Sequence, residues 1–303
     1  MQRNVITDAL ILSVSQLGEN NRSVCMLTPD DGISYAVLYG GPKSKLKGLV
    51  SPFCRGKIYL YCDNVKKSTK ITDFDVKNFH LSFRESLFKS WAASLACEIA
   101  LKTKCAGNAS ECWYLLNGFL DGLELCDDAN GQLGLIRFLW RYLGILGLRP
   151  ESKYCGVCNK GLLLDEESAD AAQLSELSLS ELSLSELSPT QSSVQSPGAA
   201  QTSALLPTHS ANNDAVFDIS ENAFICTDCA RQNSGGVAKS GQFFISGDSL
   251  GYLNAIFEKS PKEVRAIKCT AKTVNELKQL GFYLIETAIG QKLKTLDTGL
   301  GIL

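Results

Sequence analysis

The 303-residue sequence is poor in histidine, methionine and proline, with two, two and eight of these residues respectively. The two histidines, His80 and His209, are far apart in the chain, which argues against a histidine-dependent nucleophile or general base. The phosphate-binding pattern G-x-x-x-x-G-K-[ST], the G-x-G-x-x-G helix start and the metal motif H-E-x-x-H are all missing. Because no active-site role can be filled, we expect a protein that is not an enzyme.

Long apolar runs are also missing from the sequence. No stretch approaches the roughly 18 apolar residues that a membrane-spanning helix needs. The first residues, Met1-Gln2-Arg3-Asn4, do not resemble a signal peptide. Hydrophobic residues make up 45% of the chain and charged residues 20%, which is typical of globular proteins. We therefore expect a cytoplasmic protein with no membrane partner.

Positive and negative charges nearly balance over the whole chain, but they are unevenly distributed along it. The formal net charge is −2, yet residues 1–80 contain eleven Lys and Arg against seven Asp and Glu. Residues 151–240 contain four basic residues against twelve acidic ones. A polyanionic partner is therefore expected to contact the first segment of the chain.

Cysteine is plentiful, and four of the twelve cysteines form two matched pairs. Cys155-Gly156-Val157-Cys158 is followed far downstream by Cys226-Thr227-Asp228-Cys229. A gap of two residues lets one tight turn aim both sulfurs at a metal about 2.3 Å away, and a second turn completes a tetrahedron. A redox pair, disulfides and chance are the alternatives, but the doubled spacing favours a structural Zn²⁺ with Cys155, Cys158, Cys226 and Cys229 as its ligands.

The two pairs are separated by 67 residues, 159–225. Closing a loop of this length costs about 3.7 kcal/mol, only about 1 kcal/mol more than a 20-residue loop. Apparent zinc binding energies in small finger peptides reach roughly 10–16 kcal/mol. The long connection therefore does not argue against a shared metal site.

The periodicity of the sequence predicts an α+β protein. Five short strands separated by turns in residues 1–80 predict a small closed barrel, with an OB-fold preferred and an SH3-like barrel as the alternative. Residues 81–150 have a helical period and predict the first part of a helical bundle, and residues 241–303 predict its second part. The predicted fold is a five-stranded OB-fold barrel followed by an all-helical domain with an inserted four-cysteine zinc module.

Three local features refine this division. The zinc module spans residues 151–240 and contains an insertion at about 166–214, where Leu-Ser-Glu repeats and a Ser-rich tract predict disorder, or a helix formed on binding a partner. Ser82 with Glu85, and Thr273 with Glu276, have the spacing of helix capping boxes. We therefore expect helices to begin at these two places.

A glycine-bounded basic loop, residues 40–48, lies within the predicted barrel. One interpretation is that the loop binds DNA. Its lysines would then neutralise phosphates, and nearby tyrosines could stack on bases. A solvated loop and buried core tyrosines are the ordinary alternatives. The predicted DNA-binding residues are Lys43, Lys45, Lys47, Arg55 and Lys57.

These motifs, in this order, resemble the RecO family of DNA repair proteins. The likeness is carried by the basic loop running into Ser51-Pro52-Phe53, by the stretch 135–150 followed at once by the first cysteine pair, and by the stretch 223–230 around the second pair. The resemblance implies an OB-fold, a helical domain and a zinc module. It also implies binding of single- and double-stranded DNA, annealing of complementary strands, and a place at the bacterial nucleoid.

The resemblance further implies protein partners, namely RecR and the single-stranded-DNA-binding protein, with which RecO proteins load recombinase onto DNA. Arg137 matches a helix position that would hold the acidic C-terminal tail of the single-stranded-DNA-binding protein, and Arg141 lies one turn further on. Two surface arginines of a bundle are the ordinary alternative. The rival functions are a zinc-containing protein-interaction adaptor that does not touch DNA, and a dithiol oxidoreductase.

Overall fold

The computed structural model describes residues 3–40, 44–63, 65–163, 214–234 and 242–299. The chain divides into two compact units. Unit 1 comprises Met1–Arg149 and Leu277–Leu303, and unit 2 comprises Pro150–Glu276. The predicted insertion at 166–214 lies outside the described residues except for its last residue. No helix among the described residues is both long and apolar enough to cross a membrane.

Unit 1 begins with a closed barrel of five strands, which confirms the predicted architecture. The strand order is β1-β2-β3-β5-β4, with β4 returning to pair with β1. All neighbours are antiparallel except β3 and β5, which are parallel. The strands are β1 (Asn4–Leu17), β2 (Asn21–Thr28), β3 (Gly32–Leu38), β4 (Arg55–Asp63) and β5 (Ser68–Asn78), with a short helix, α1 (Leu46–Leu49), between β3 and β4.

Both faces of β1 are buried at its centre. Ala9 and Ile11 belong to the core inside the barrel, whereas Leu10 and Leu12 are buried on the opposite face. The outer leucines are covered because the next helices pack against β1, β2 and β3. The barrel and the first helices therefore lie in one compact unit.

Three long helices follow a 3-10 helix at Leu81–Arg84. Aromatic side chains fill the space between the second and third of them, with Phe119 and Phe138 stacked at a centroid distance of 4.8 Å and Tyr142 5.5 Å from Phe138. Asn108 and Asp127 cap the helices to which they lead, by accepting backbone N–H groups of the first turn. The helices are α2 (Leu87–Thr103), α3 (Ala109–Leu125) and α4 (Asp128–Ile145).

The expected helix start at Ser82 is wrong. Ser86 is the cap of α2, since its hydroxyl accepts the N–H of Lys89 at 3.1 Å. Ser82 lies in the preceding 3-10 helix because His80 takes a left-handed conformation that separates the strand from the helix. Leu87, the first residue of α2, is 72% exposed.

The last segment of the chain completes unit 1. The indole of Trp91 on α2 donates to the carbonyl of Thr295 at 2.7 Å, and the Glu98 carboxylate accepts the backbone N–H groups of Lys294 and Thr295. Phe282 packs edge-on against Trp91. This segment contains the later part of α8 (Ala271–Ile289) and all of α9 (Lys294–Thr298).

Unit 2 contains a three-stranded sheet and further helices. The sheet order is β7-β6-β8, and both pairings are antiparallel. Phe217 and Phe224 form its core, with centroids 5.2 Å apart. The elements are β6 (Ala215–Asp218), β7 (Ala223–Cys226), α5 (Thr227–Ser234), β8 (Gln242–Ile245), α6 (Gly247–Glu258), α7 (Pro261–Ala266) and the start of α8.

The compact units differ from the predicted boundaries at residues 80 and 240. Residues 242–245, expected in a helical domain, form β8 and pair with β6, so this segment belongs with the cysteine pairs. The capping box expected at Thr273 is also wrong, because α8 begins at Ala271 and the Thr273 N–H donates to the Thr270 hydroxyl. The Glu276 carboxylate accepts hydrogen bonds from the Ser246 and Ser249 hydroxyls instead.

Candidate metal centre and nucleic-acid interface

The two cysteine pairs meet in unit 2. The Sγ atoms of Cys155, Cys158, Cys226 and Cys229 all lie within 4.8 Å of one another. Four sulfurs placed about 2.3 Å from a tetrahedral zinc are about 3.8 Å apart, and the Sγ atoms of Cys158 and Cys226 are 3.7 Å apart. All twelve cysteines are free, so this spacing is not that of a disulfide. The predicted pairs therefore form a cluster that could hold a metal ion.

Backbone hydrogen bonds position each cysteine. The first pair lies in a tight turn, in which the Cys155 N–H donates to the Lys160 carbonyl at 2.8 Å and the Asn159 N–H donates back to the Cys155 carbonyl at 2.9 Å. Gly156 donates to the Phe224 carbonyl, and a Cβ at Gly156 would lie 2.8 Å from the Ala223 side chain. Only glycine lets the two turns approach this closely.

The second pair straddles the end of β7 and the first turn of α5. Cys226 ends the strand and Cys229 lies in the helix, so a strand-to-helix turn brings their sulfurs together. The N–H of Cys226 also donates to the Cys155 sulfur at 3.3 Å, which joins the two halves of the cluster. Three of the four side chains are buried, and Cys158 is exposed.

The electrostatics of the cluster suit thiolate ligands. Burial alone raises the pKa of Cys155, but backbone N–H groups of Cys158, Cys226 and Val157 outweigh it and lower this pKa to about 6. Burial raises the pKa of Cys226 and of Cys229, where the neighbouring thiols also contribute. One sulfur is therefore readily ionised, and a divalent cation would favour loss of the remaining protons.

The described lysines of the basic loop lie at one edge of the barrel. Lys45 is exposed just before α1 and Lys47 is half-buried within it, whereas Lys43 lies outside the described residues. A guanidinium N–H of Arg22 on β2 donates to the Lys47 carbonyl at 3.2 Å, which places a further positive charge against this loop. Sequence analysis missed Arg22, because only the strand pairing reveals its neighbours.

A tyrosine and another lysine complete this edge. Tyr39, just after β3, is 48% exposed, and the Lys70 ammonium lies 5.6 Å from the centre of its ring. Lys70 is opposite Val37 in the β3–β5 pairing, so it lies beside the end of β3. We use the name basic edge for Arg22, Tyr39, Lys45, Lys47 and Lys70.

The other two predicted DNA-binding residues lie beside carboxylates in the strand pairing or in an ion pair, and their role toward DNA stays a prediction. Lys57 on β4 is directly opposite Asp8 on β1 and Asp75 on β5. Arg55 forms an ion pair with Asp121 on α3 at 2.8 Å and also donates to Asn117 at 3.3 Å. Arg55 therefore links the barrel to α3, and we do not assign it to the basic edge.

Asp121 joins several groups at the junction of the barrel and α3. Its carboxylate accepts from Arg55 and Asn78 and lies 3.2 Å from Nε2 of the buried His80, whose Nδ1 donates to the Phe53 carbonyl at 2.8 Å. The side chain thus connects β4, the end of β5 and α3. It has the geometry of a structural junction that holds the barrel against the helix.

We expect Asp121→Ala to lower the free energy of unfolding by about 1–3 kcal/mol, because Arg55 and Asn78 lose an ionised partner in a partly buried network. Urea unfolding followed by circular dichroism measures the change. Asp30→Ala, at an exposed turn position, is the matched control and should change stability by less than about 0.5 kcal/mol. Equal effects of the two variants would contradict the assigned role of the junction.

The two arginines predicted to contact a partner both lie on α4. Arg137 and Arg141 are half-buried and one helical turn apart. Both residues make an interaction within the protein, so neither is free. The two side chains therefore lie next to each other along α4. Their role toward a partner protein stays a prediction.

Comparison with known proteins gives the family. The model described as "Recombination protein O N terminal" matches residues 1–79, and the model described as "Recombination protein O C terminal" matches residues 84–188. The matched regions contain the barrel, helices α2–α4 and the first cysteine pair. Both halves of the family pattern therefore occur in this chain in the family's own order.

Curated relatives agree with these matches. The chain is 27% identical over 158 residues to the DNA repair protein RecO of Synechococcus elongatus, which is 51% of this chain and 59% of the relative. It is 31% identical over 163 residues to the DNA repair protein RecO from a strain of Dehalococcoides mccartyi, which is 52% of this chain and 61% of the relative. The chain is 28% identical over 154 residues to the DNA repair protein RecO of Myxococcus xanthus, and these residues are 50% of this chain and 62% of the relative. The chain thus spans about three fifths of the length of the curated relatives it matches, and it belongs to the RecO family.

Proposed function

We propose that this protein is a DNA repair and recombination mediator that binds single- and double-stranded DNA through the basic edge of its barrel. The observations that support the proposal are the Lys70 ammonium near the exposed ring of Tyr39 and the Arg22 guanidinium bonded to the carbonyl of Lys47 in the basic loop, on the barrel of a RecO family member. Positive side chains neutralise backbone phosphates, and an aromatic face stacks on a base without sequence preference.

The geometry of Tyr39 suits a single strand. Its ring is half exposed and one ammonium already lies near it, so a base stacked on the ring would have a phosphate within reach of Lys70. Duplex DNA would contact the same lysines through its phosphates alone. We include Lys43 in the proposed contact surface because it belongs to the basic loop in the sequence.

Annealing of complementary strands follows from the same charges. Two phosphate backbones repel each other, and a lysine-rich surface that binds both lowers that repulsion, so that complementary strands meet more often. We propose that the protein then helps to load recombinase onto DNA coated by the single-stranded-DNA-binding protein, together with RecR. Nothing in this mechanism requires the protein to make or break a covalent bond.

Arg137 and Arg141 are proposed to hold the acidic C-terminal tail of the single-stranded-DNA-binding protein. Guanidinium groups one turn apart on a helix can form charge-assisted hydrogen bonds with two carboxylates of a peptide.

The four-cysteine cluster is proposed to bind one structural Zn²⁺. Four protein thiolates fill a tetrahedral coordination sphere, which leaves no open position for a substrate or water. Cys155, Cys158, Cys226 and Cys229 would hold the ion and fasten the turn at residues 155–158 to the β6–β7 hairpin. The metal would thus stabilise unit 2 and take no part in DNA chemistry.

Salt dependence of DNA binding tests the main proposal. Contact with about three to five phosphates predicts a log–log salt slope of roughly −2 to −3.5 for a single strand. Fluorescence anisotropy of a labelled oligonucleotide with the full chain measures this slope, and a strand-annealing assay measures the activity. A flat salt response, or absence of binding at low salt, would instead favour a zinc-containing protein-interaction adaptor.

A further inference from the structure

One outer face of the barrel is formed by β1, β4 and β5, whose outward side chains lie opposite one another in rows. The register pairs Tyr61 on β4 with Asn4 on β1 and with Lys70 on β5. The preceding residue, Leu60, belongs to the core inside the barrel, so Tyr61 points outward, where it is half-buried. Because Lys70 also lies opposite Val37 on β3, this row begins at the basic edge.

Lys70 lies between two tyrosines. Its ammonium is 5.6 Å from the centre of the Tyr39 ring on one side, and Tyr61 is its cross-strand partner on the other. Neighbouring strands are about 4.8 Å apart, so the two tyrosines, which are two strands apart, are separated by roughly 10 Å. A single strand of nucleic acid carries a phosphate between each two bases. An ammonium placed between two rings therefore fits a backbone whose bases stack on those rings.

This end of the face is basic. Residues 3–4 and 61–70, which include the β4–β5 hairpin, contain four basic side chains and one acidic side chain, that of Asp63. The Asp63 carboxylate accepts the backbone N–H groups of Val65 and Lys66 at 3.0 and 3.1 Å, so it is held within the turn. The excess of positive charge favours a polyanion. The four basic residues, all exposed, are Arg3, Lys66, Lys67 and Lys70.

The next two rows of the same face have the opposite excess of charge. Tyr59, two residues before Tyr61 on β4, lies opposite Asp73 on β5, and Lys57 in the following row lies between two aspartates. Together the segments that form these rows contain three acidic and two basic side chains. Negative charge repels phosphates, so a nucleic acid would follow the Tyr61 row and not the Tyr59 row. The segments are residues 6–8, 57–59 and 73–77.

We propose that Tyr61 is a second stacking site for single-stranded DNA, and that the strand passes from Tyr39 over Lys70 to Tyr61. This inference rests on the proposed DNA binding at the basic edge and extends it across the barrel. Stacking on a side chain needs a base whose face is free, whereas in a duplex each base face is covered by its neighbours. Tyr61 therefore gives a preference for single strands, which lysines that bind phosphates of both forms do not supply.

Tyr61→Leu tests the proposal in the full chain, because leucine keeps an apolar side chain on the sheet and removes the ring. We expect this variant to bind a labelled oligothymidine at least about fivefold more weakly, through the loss of one stacked base. The log–log salt slope should stay unchanged, because a ring releases no counterions. Binding to a duplex should change by less than about twofold, and Tyr61→Phe should bind both forms as the wild type does.

Tyr59→Leu is the matched control, because Tyr59 is half-buried on the same strand and face but has Asp73 as its partner on β5. It should change the affinity for the oligothymidine by less than about twofold. With the wild type, an oligonucleotide that contains 5-iodouracil should photo-crosslink to Tyr61, a result that does not depend on the folding of any variant.

Equal affinities of the two leucine variants would overturn the inference, as would an equal loss of duplex binding or the absence of a crosslink on β4. If Tyr61→Leu bound single strands fully while the loss of Lys45 and Lys47 weakened binding, only this inference would fail and the proposed function would stand. A wild-type protein that bound no single strand at low salt would overturn both.

Discussion

Cys226→Ser is expected to abolish binding of the proposed Zn²⁺ and to destabilise unit 2 by several kcal/mol. The serine hydroxyl does not ionise at neutral pH and is a poor zinc ligand, so the tetrahedral site would lose one of its four thiolates. Apparent binding energies of structural zinc, roughly 10–16 kcal/mol in finger peptides, are as large as the stability of a typical domain, about 5–15 kcal/mol. The loss should therefore be visible both as metal content and as proteolysis within unit 2.

Metal analysis of the purified protein should give about one zinc per chain for the wild type and almost none for the variant. Cys62→Ser, at a partly exposed barrel position outside the four-sulfur cluster, is the matched control and should keep the metal. A chelator should expose the four thiols to a thiol reagent in the wild type. A wild-type protein without bound metal, with one reactive thiol pair, would support the oxidoreductase alternative instead.

Replacing Lys45, Lys47 and Lys70 together by alanine is expected to weaken binding to single strands about tenfold or more at low salt. Each lost phosphate contact reduces the magnitude of the log–log salt slope by about 0.7, so the three changes should reduce it by about two units. The effect should be the same for unrelated sequences, because phosphate contacts carry no sequence information. Fluorescence anisotropy at several salt concentrations measures both quantities.

The matched control changes the same number of charges outside the barrel. Lys259, Lys262 and Lys268 are exposed in unit 2, and their replacement by alanine lowers the net charge equally. If the control weakened binding as much as the barrel variant, net charge and not the basic edge would govern affinity. Adding Lys43→Ala to the barrel variant would test whether the rest of the loop contributes.

The parts of the fold that depend on local spacing could be predicted from the sequence. Turn signals between short alternating segments predicted the five strands, and the structure closes them into a barrel. The doubled two-residue gaps predicted that the four cysteines would meet, although 67 residues, 159–225, separate the pairs. In both cases the predictive signal is a short local pattern: the turn residues between strands, or the two-residue gap within each cysteine pair.

The errors concern features that depend on distant partners. Ser82 has the spacing of a cap, but its N–H bonds to Glu124 on α3, and the helix begins after Ser86. The ion pair between Arg55 and Asp121 across the barrel–helix junction could not be read from the sequence either, and the role of Arg55 toward DNA stays a prediction. A sequence gives residue types and local periods, whereas these contacts arise only when the barrel and α3 pack together.

The attachment of residues 294–295 to α2 has a consequence for the synthesis of the chain on the ribosome. Trp91 and Glu98 are synthesised early, whereas Thr295, which contacts both, is synthesised after the whole of unit 2. The growing chain must therefore leave an aromatic surface on α2 uncovered while residues 104–294 are still being made. A chaperone that binds apolar surfaces would find Trp91 accessible throughout that interval, and a premature stop after residue 276 would leave it exposed for good.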